Sequence, residues 1–215
     1  MNKSPNEKIC LFFLVLGAIL LPQSVLASKV FLETARTEFF AGDTVLIDVK
    51  VDSEDKEINT VEGKISLDYP PDMVLIRDIS LSESSLTLWP TRPALSEDLK
   101  TISFVGGVPS GLKSHDATLF RVIVNLKNAG PITLKPTNIS VYLHDGKGTK
   151  EIASSENLTI NVLPQGTDYK SVNDLEALIS GDKTAPKPFE IFAGRDDSIF
   201  EGKKFLSFST TDEQS

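Results

Sequence analysis

Cysteine is almost absent from this chain of 215 residues, and the one present, Cys10, lies in an N-terminal apolar segment. The rest of the protein has no thiol nucleophile, no thiolate-bound zinc and no iron–sulfur centre. It must also be held together by its core, without disulfides. Histidine is nearly as scarce. His115 and His144 stand 29 residues apart, neither in an HExxH pattern nor beside a serine in a nucleophile elbow. Basic runs are missing too: 22 Lys and Arg against 30 Asp and Glu give a formal charge of −8. That balance offers little attraction to nucleic acid or anionic lipid and favours solubility.

There is one long apolar run, Ile9 to Leu21, 13 residues without a charge. Lys3 and Lys8 precede it, Pro22-Gln23 break it, and Val25-Leu26-Ala27 places small residues at the −3 and −1 positions of a cleavage site. This is the layout of a secretory signal peptide spanning residues 1–27 and cut after Ala27. The run is short for a spanning helix, which needs roughly 20 residues; an uncleaved membrane anchor is the alternative. Cys10 sits at the start of the run rather than its end, which argues against lipidation. Removing Lys3, Lys8 and Glu7 leaves 20 basic against 29 acidic residues, a charge of −9. The expected location is secreted or cell-surface.

From Ser28 to Pro164 apolar residues recur with period two between turn signals. Val45, Ile47, Val49 and Val51 alternate with Leu46, Asp48, Lys50 and Asp52, giving a strand with one core face and one mostly wet face. Ile58–Tyr69, Met73–Ile79, Ser84–Trp89, Lys100–Val105 and Ala117–Lys127 follow. In the last of these, Thr118, Phe120, Val122, Val124 and Leu126 are the more apolar set and are expected to face inward. Pro131–Leu134, Asn138–Leu143 and Asn157–Leu163 close the unit, with Asp145-Gly146-Lys147-Gly148 as a turn. About nine short strands in 137 residues, with no helical period, predict an all-β two-sheet sandwich or jelly roll. Val61, Ile65, Leu67, Phe104, Phe120, Val122 and Val124 are the predicted core.

Residues 165–188 read as a linker with one short helix. Ser171 is its expected cap, Asp174 completes a capping box, Gly181 sits at its C-terminal end, and Val172, Leu175, Leu178 and Ile179 form its apolar stripe. Its expected role is to pack between domains. Residues 189–215 return to β character, with Phe189-Glu190-Ile191 and Lys204–Thr210 as strands. These 27 residues are too few for a core of their own. They are expected to be the beginning of a second, incomplete β domain.

Candidate chemistry is sparse. Carboxylates alone suffice for glycoside hydrolysis, and Glu62 is the best placed, but its alternation sends it to the face opposite Val61 and Gly63, where exposure or a local hydrogen bond is expected. Asp52, Glu54 and Asp55 crowd one loop and Asp145 opens another, a low-ranking calcium set, since no twelve-residue D-x-[DN]-x-[DN]-G loop exists. No other cofactor is indicated. Trp89, the only tryptophan, could stack a sugar with Tyr69 or Tyr142, or could instead seal the core.

Four blocks carry a family resemblance: Asn59-Thr60-Val61-Glu62-Gly63, Ser85-Leu86-Thr87-Leu88-Trp89, Ile102-Ser103-Phe104-Val105-Gly106-Gly107-Val108-Pro109 and Asp145-Gly146-Lys147-Gly148-Thr149. In that order and spacing they resemble bacterial cohesin-like domains, across Val30–Val162. The Phe189–Thr211 stretch looks like the start of an Ig-like β domain. The resemblance implies a nine-stranded jelly roll related to carbohydrate-binding modules, and non-covalent attachment rather than catalysis. Its expected partner is a dockerin-like or other surface protein, at the cell surface or in a polysaccharide-degrading assembly. Direct polysaccharide binding is the first alternative, and a structural part of a surface layer or filament is the second. No nucleic-acid partner is expected. Membrane contact would come only through the signal segment or a missing C-terminal anchor.

Overall fold

The computed structural model describes residues 27–166, 169–181, 191–195 and 204–208. Residues 1–26 of the expected signal segment 1–27, the Thr184–Pro188 stretch and the flanks of the C-terminal strands lie outside the described residues.

Two sheets pack face to face. The five-stranded sheet holds β1 (Lys29–Glu33), β3 (Thr44–Asp52), β5 (Val74–Ser80), β8 (Ala117–Leu126) and β11 (Ser154–Ser155), ordered β11-β1-β3-β8-β5. The seven-stranded sheet holds β2 (Glu38–Phe40), β4 (Ile58–Asp68), β6 (Leu88–Leu95), β7 (Thr101–Leu112), β9 (Gly130–Leu143), β10 (Lys150–Ile152) and β12 (Leu158–Leu163). Its order is β2-β12-β9-β4-β7-β6, with β10 also on β9. The segments named from the sequence fall on eight of the nine longer strands, Pro131–Leu134 and Asn138–Leu143 sharing β9; the ninth longer strand is β1. Three short ones, β2, β10 and β11, add two or three residues each.

The core is the inward set of both sheets. Val45, Ile47, Val49 and Val51 are fully buried while their neighbours on β3 are not, the pattern of a sheet wet on one side. All seven predicted core residues are buried. Phe120 lies at the centre, edge-on to Phe104 (centroids 5.0 Å apart) and to Trp89 (6.4 Å).

Four sequence expectations shift. On β8 the inward set is Phe120, Val122, Val124 and Leu126, but not Thr118: the β3–β8 register slips between Val49 and Lys50, and Thr118 pairs with half-buried Lys50. Leu119 is buried instead. A bulge inserts a residue and reverses the alternation beyond it. The Ser84–Trp89 strand starts later, at Leu88, and continues through Pro90 and Pro93 to Leu95. Among the described residues it is an edge strand pairing only with β7, at four positions broken by two register shifts, where proline is tolerated. Pro131–Leu134 and Asn138–Leu143 form one strand, β9, kinked where Asn138 takes a φ of 54°.

The fourth shift concerns the helix. The chain past β12 turns back onto the sandwich before entering α1 (Asp174–Gly181). Asn173, not Ser171, is the cap: its Oδ1 accepts from the Glu176 N–H at 3.1 Å, and its side-chain amide donates to Glu176 at 3.4 Å. Ser171 is displaced from that role because Val172 is already engaged. Its N–H donates to Asp43 Oδ1 at 2.7 Å, and its carbonyl accepts from the Thr44 N–H at 2.9 Å. Asp43 is fully buried, and Oδ1 also accepts from the Tyr169 hydroxyl at 2.7 Å, while Oδ2 takes the Phe40 N–H at 3.0 Å. The Tyr169 ring stacks on Phe40, centroids 4.2 Å apart. Of the apolar stripe, Val172 and Leu175 are half-buried; Leu178 and Ile179 are exposed.

Farther on, β13 (Ile191–Arg195) and β14 (Lys204–Phe208) pair antiparallel, from Ile191 opposite Phe208 to Arg195 opposite Lys204.

Candidate functional site

The two sheets differ in how their outer faces are occupied. On the five-stranded sheet, Arg121 is bonded to both carboxylate oxygens of Asp48 (2.6 and 3.0 Å) and to Glu83 (2.8 and 3.0 Å). These contacts push the guanidinium further up, the Asp48 bond most of all. The helix α1 packs against β3 of this same sheet. The seven-stranded sheet instead presents a broad face, interrupted by register shifts on β6 between Leu88 and Thr91 and on β4 on either side of Thr60–Glu62.

Register alone builds two parallel rows there. Ile152, Ser140, Glu62, Val105 and Thr91 stand directly opposite one another across β10, β9, β4, β7 and β6. Beside them run Lys150, Tyr142, Thr60, Gly107 and Leu88 on the same five strands. At about 4.8 Å per strand step, each row spans roughly 19 Å.

At one end the rows are knotted together. The Tyr142 hydroxyl donates to Glu62 Oε1 at 2.9 Å, and the Lys150 ammonium donates to the same oxygen at 3.0 Å. Lys150 also lies 5.5 Å from the Tyr142 ring centroid. The Glu62 carboxyl is consequently held below its ordinary range, first by Lys150 and then by Tyr142, and the Lys150 ammonium is raised, chiefly by Glu62. Opposite charges thus cancel on the face. At the other end, Gly107 is a close approach: a Cβ there would come within 2.8 Å of the Asn59 carbonyl oxygen. Gly107 is itself buried, in register between Thr60 and Leu88.

Apolar groups flank this polar centre. Leu88 is 54% exposed on β6 and Ile152 is 81% exposed on β10. Ile152, Lys150, Glu62, Ser140 and Asn138 edge a shallow open depression. Farther along, Ser66 and Thr137 share a hydrogen bond at 3.3 Å, as do Thr133 and Thr159 at 3.1 Å.

The three aromatic candidates are separated. Tyr142 belongs to the face, but its ring is covered by Lys150 and its hydroxyl is bound to Glu62. Trp89 opens β6 and turns inward, packed on Phe120 and so tightly on Gly106 that a Cβ there would lie 2.6 Å from the indole. Tyr69 lies just past β4, half-buried in a groove with Val74, Leu75, Ile76, Leu95 and Leu99; burial pushes its hydroxyl up to about 12. The exposed large apolar side chains among the described residues are all aliphatic.

The acidic loops are occupied locally. Asp52 Oδ1 accepts from the Glu54 N–H at 2.8 Å and faces His115 Nδ1 at 2.9 Å, while Asp55 lies 3.2 Å from Lys113 and 3.6 Å from His115. Asp145 accepts from the Lys147 and Thr149 N–H groups and the Thr149 hydroxyl, which lowers its carboxyl to about 2, the Thr149 hydroxyl contributing most. Among the described residues no three His, Cys, Asp or Glu side chains converge as a metal set.

Alternation places Glu62 on the outer face, exposed or locally hydrogen-bonded; it lies on that face, but its partners Tyr142 and Lys150 are not local, standing 80 and 88 residues away on other strands. Lys150, Ile152, Leu88 and Val105 were not singled out, because only cross-strand register brings them beside Glu62.

No family model matches the chain, and no curated protein matches it. Solved structures do. A cohesin module of a family 33 glycoside hydrolase from Clostridium perfringens aligns with a TM-score of 0.53 at 13% identity, over 66% of this chain and 100% of that one. The seventh type I cohesin of a Pseudobacteroides cellulosolvens protein aligns at 0.54 with 16% identity, over 68% and 98%. A type I cohesin–dockerin complex from Clostridium thermocellum gives 0.51 at 13% identity, over 67% and 99%. The two-sheet unit from β1 to β12 therefore has the cohesin-like jelly-roll fold.

Proposed function

We propose that this protein is an exported, non-catalytic attachment module that holds a protein partner on the outer face of its seven-stranded sheet. The carrying observation is the pair of five-residue rows, with the charges of Glu62 and Lys150 paired and with exposed Leu88 and Ile152 on either side of the Glu62–Tyr142–Lys150 knot. A mixed polar and apolar surface of this kind suits protein recognition. The solved relative from Clostridium thermocellum is a complex with a dockerin, so a dockerin-like partner is the reading for this face. The setting is the cell surface, or an assembly that degrades polysaccharide. The β13–β14 pair is read as the opening of an Ig-like β domain.

Two observations favour binding over catalysis and over sugar. A glycosidase acid needs a raised carboxyl, whereas Glu62 is lowered. A sugar platform needs open aromatic faces, whereas Trp89 is turned onto Phe120 and Tyr142 is capped by Lys150.

The test is capture from the secreted proteins of the source organism, alongside retention on insoluble polysaccharides. A dockerin-bearing protein should bind the wild type and lose most of its affinity to L88R and I152R. Polysaccharide retention that survives both substitutions would overturn the reading.

A further inference from the structure

We infer that cleavage between Ala27 and Ser28 creates a structural group: the new α-ammonium of Ser28 docks on the carboxylate of Glu151. The inference rests on the reading of residues 1–27 as a cleaved signal.

Two independent observations meet at one bond. The small residues Val25 and Ala27 place the scissile peptide after Ala27. Among the described residues the first strand opens just beyond that bond: Ala27 is half-buried, Ser28 is fully buried, and β1 opens at Lys29. The nitrogen that cleavage would free lies 2.9 Å from Glu151 Oε1, 123 residues away in sequence. The rest of Ser28 is fixed too. Its carbonyl accepts from the Ser154 N–H at 2.8 Å, and its hydroxyl points to the Ser53 carbonyl at 3.5 Å.

Glu151 is placed to take such a partner. On β10 the flanking Lys150 and Ile152 are exposed, whereas Glu151 alternates toward the interior, opposite buried Val141, with its side chain 18% exposed. Lys56 reaches both of its oxygens, at 2.7 and 2.8 Å. In the uncleaved chain the Ser28 nitrogen contributes one neutral amide hydrogen. Hydrolysis adds water across the Ala27–Ser28 bond, leaving a carboxylate on Ala27 and, at neutral pH, a protonated amine on Ser28. The same contact then becomes a charge-assisted bond, shorter and stronger than a neutral one. Lys56 opposes it, because two ammonium groups then share one carboxylate.

The experiment uses the full chain exported from a secreting host. Sequencing of the recovered protein should begin at Ser28. The α-amine is then acylated at neutral pH with an N-hydroxysuccinimide ester, and the N-terminal peptide is quantified by mass spectrometry. A paired ammonium reacts slowly: about 10-fold protection relative to the urea-unfolded chain corresponds to one unit of preference for the charged form. E151Q should remove most of that protection, and K56M, which leaves Glu151 to Ser28 alone, should increase it. Far-ultraviolet circular dichroism checks that each variant folds. A wild-type chain expressed in the cytosol with residues Met-Ala27 retained, which needs no substitution, should melt at a lower temperature. A mature chain beginning elsewhere would overturn the cleavage reading, and the inference with it. A chain beginning at Ser28 whose amine reacts equally in the wild type and E151Q would overturn the docking alone.

Discussion

The Tyr169 hydroxyl donates to the buried carboxylate of Asp43 across 2.7 Å of space and 126 residues of sequence. A residue beyond the last strand of the sandwich thus satisfies an acid at the start of β3. The same oxygen accepts the Val172 N–H, and Arg36 lies 3.9 Å from Asp43 and 3.8 Å from Asp174. The segment after β12 is strapped to the domain rather than hanging from it.

Asp43→Ala should therefore lower the unfolding free energy by about 2–4 kcal/mol, because buried N–H donors lose a charged acceptor. Tyr169→Phe removes one hydrogen bond and should cost about 1–2 kcal/mol. A fragment of residues 28–164 should fold, with a lower urea midpoint than residues 28–181. Equal midpoints would show that the strap contributes nothing.

Phe120→Ala should cost about 3–5 kcal/mol through the cavity it leaves between Phe104 and Trp89. A urea titration showing a loss below about 1 kcal/mol would mean that the surrounding core collapses to fill the site.

Gly106→Ala drives a methyl group to within 2.6–2.8 Å of Trp89 and Leu86. Overpacking of this kind costs about 1–3 kcal/mol. Trp89 is the chain's only tryptophan, so its fluorescence reports the shift directly: emission should move to the red. An unchanged spectrum would contradict the close packing.

His115 is raised above its ordinary value, first by its hydrogen bond to Asp52 and next by that carboxylate's charge. The folded value exceeds the unfolded one, near 6.5. Its contribution is therefore complete below about pH 6.5 and disappears as pH rises through the folded value. Asp145 behaves oppositely. Lowered to about 2, it contributes above its unfolded value, near 3.9, and loses that contribution as pH falls toward 2. H115A should flatten the stability profile above pH 6.5, and D145N should flatten it below about pH 4. Both groups lie at the surface, so the changes should be small; urea midpoints across pH measure them.

Alternation made the sandwich legible wherever one face is wholly apolar. β3 reads cleanly because Val45, Ile47, Val49 and Val51 have mostly polar neighbours. β8 does not, because Thr118, Leu119 and Phe120 leave either phase open, and only the bulge opposite Val49 and Lys50 decides it. The continuation of β6 to Leu95 is hidden by Pro90, which reads as a stop until the strand is known to lie at an edge. Asn173 and Ser171 are both good caps; the choice between them is made by Asp43, more than a hundred residues upstream. The candidate face was least legible of all. Glu62, Tyr142 and Lys150 come from three strands, and nothing local announces that they meet.

The two prolines on β6 have a further consequence for assembly. A strand at the end of a sheet ordinarily invites another chain to extend the ladder, and a row of such additions makes a fibre. Pro90 and Pro93 lack the N–H groups that an incoming strand would need, and β6 forms one end of the seven-stranded sheet. Growth from that margin is disfavoured, because two of the eight residues of β6 have no donor to offer.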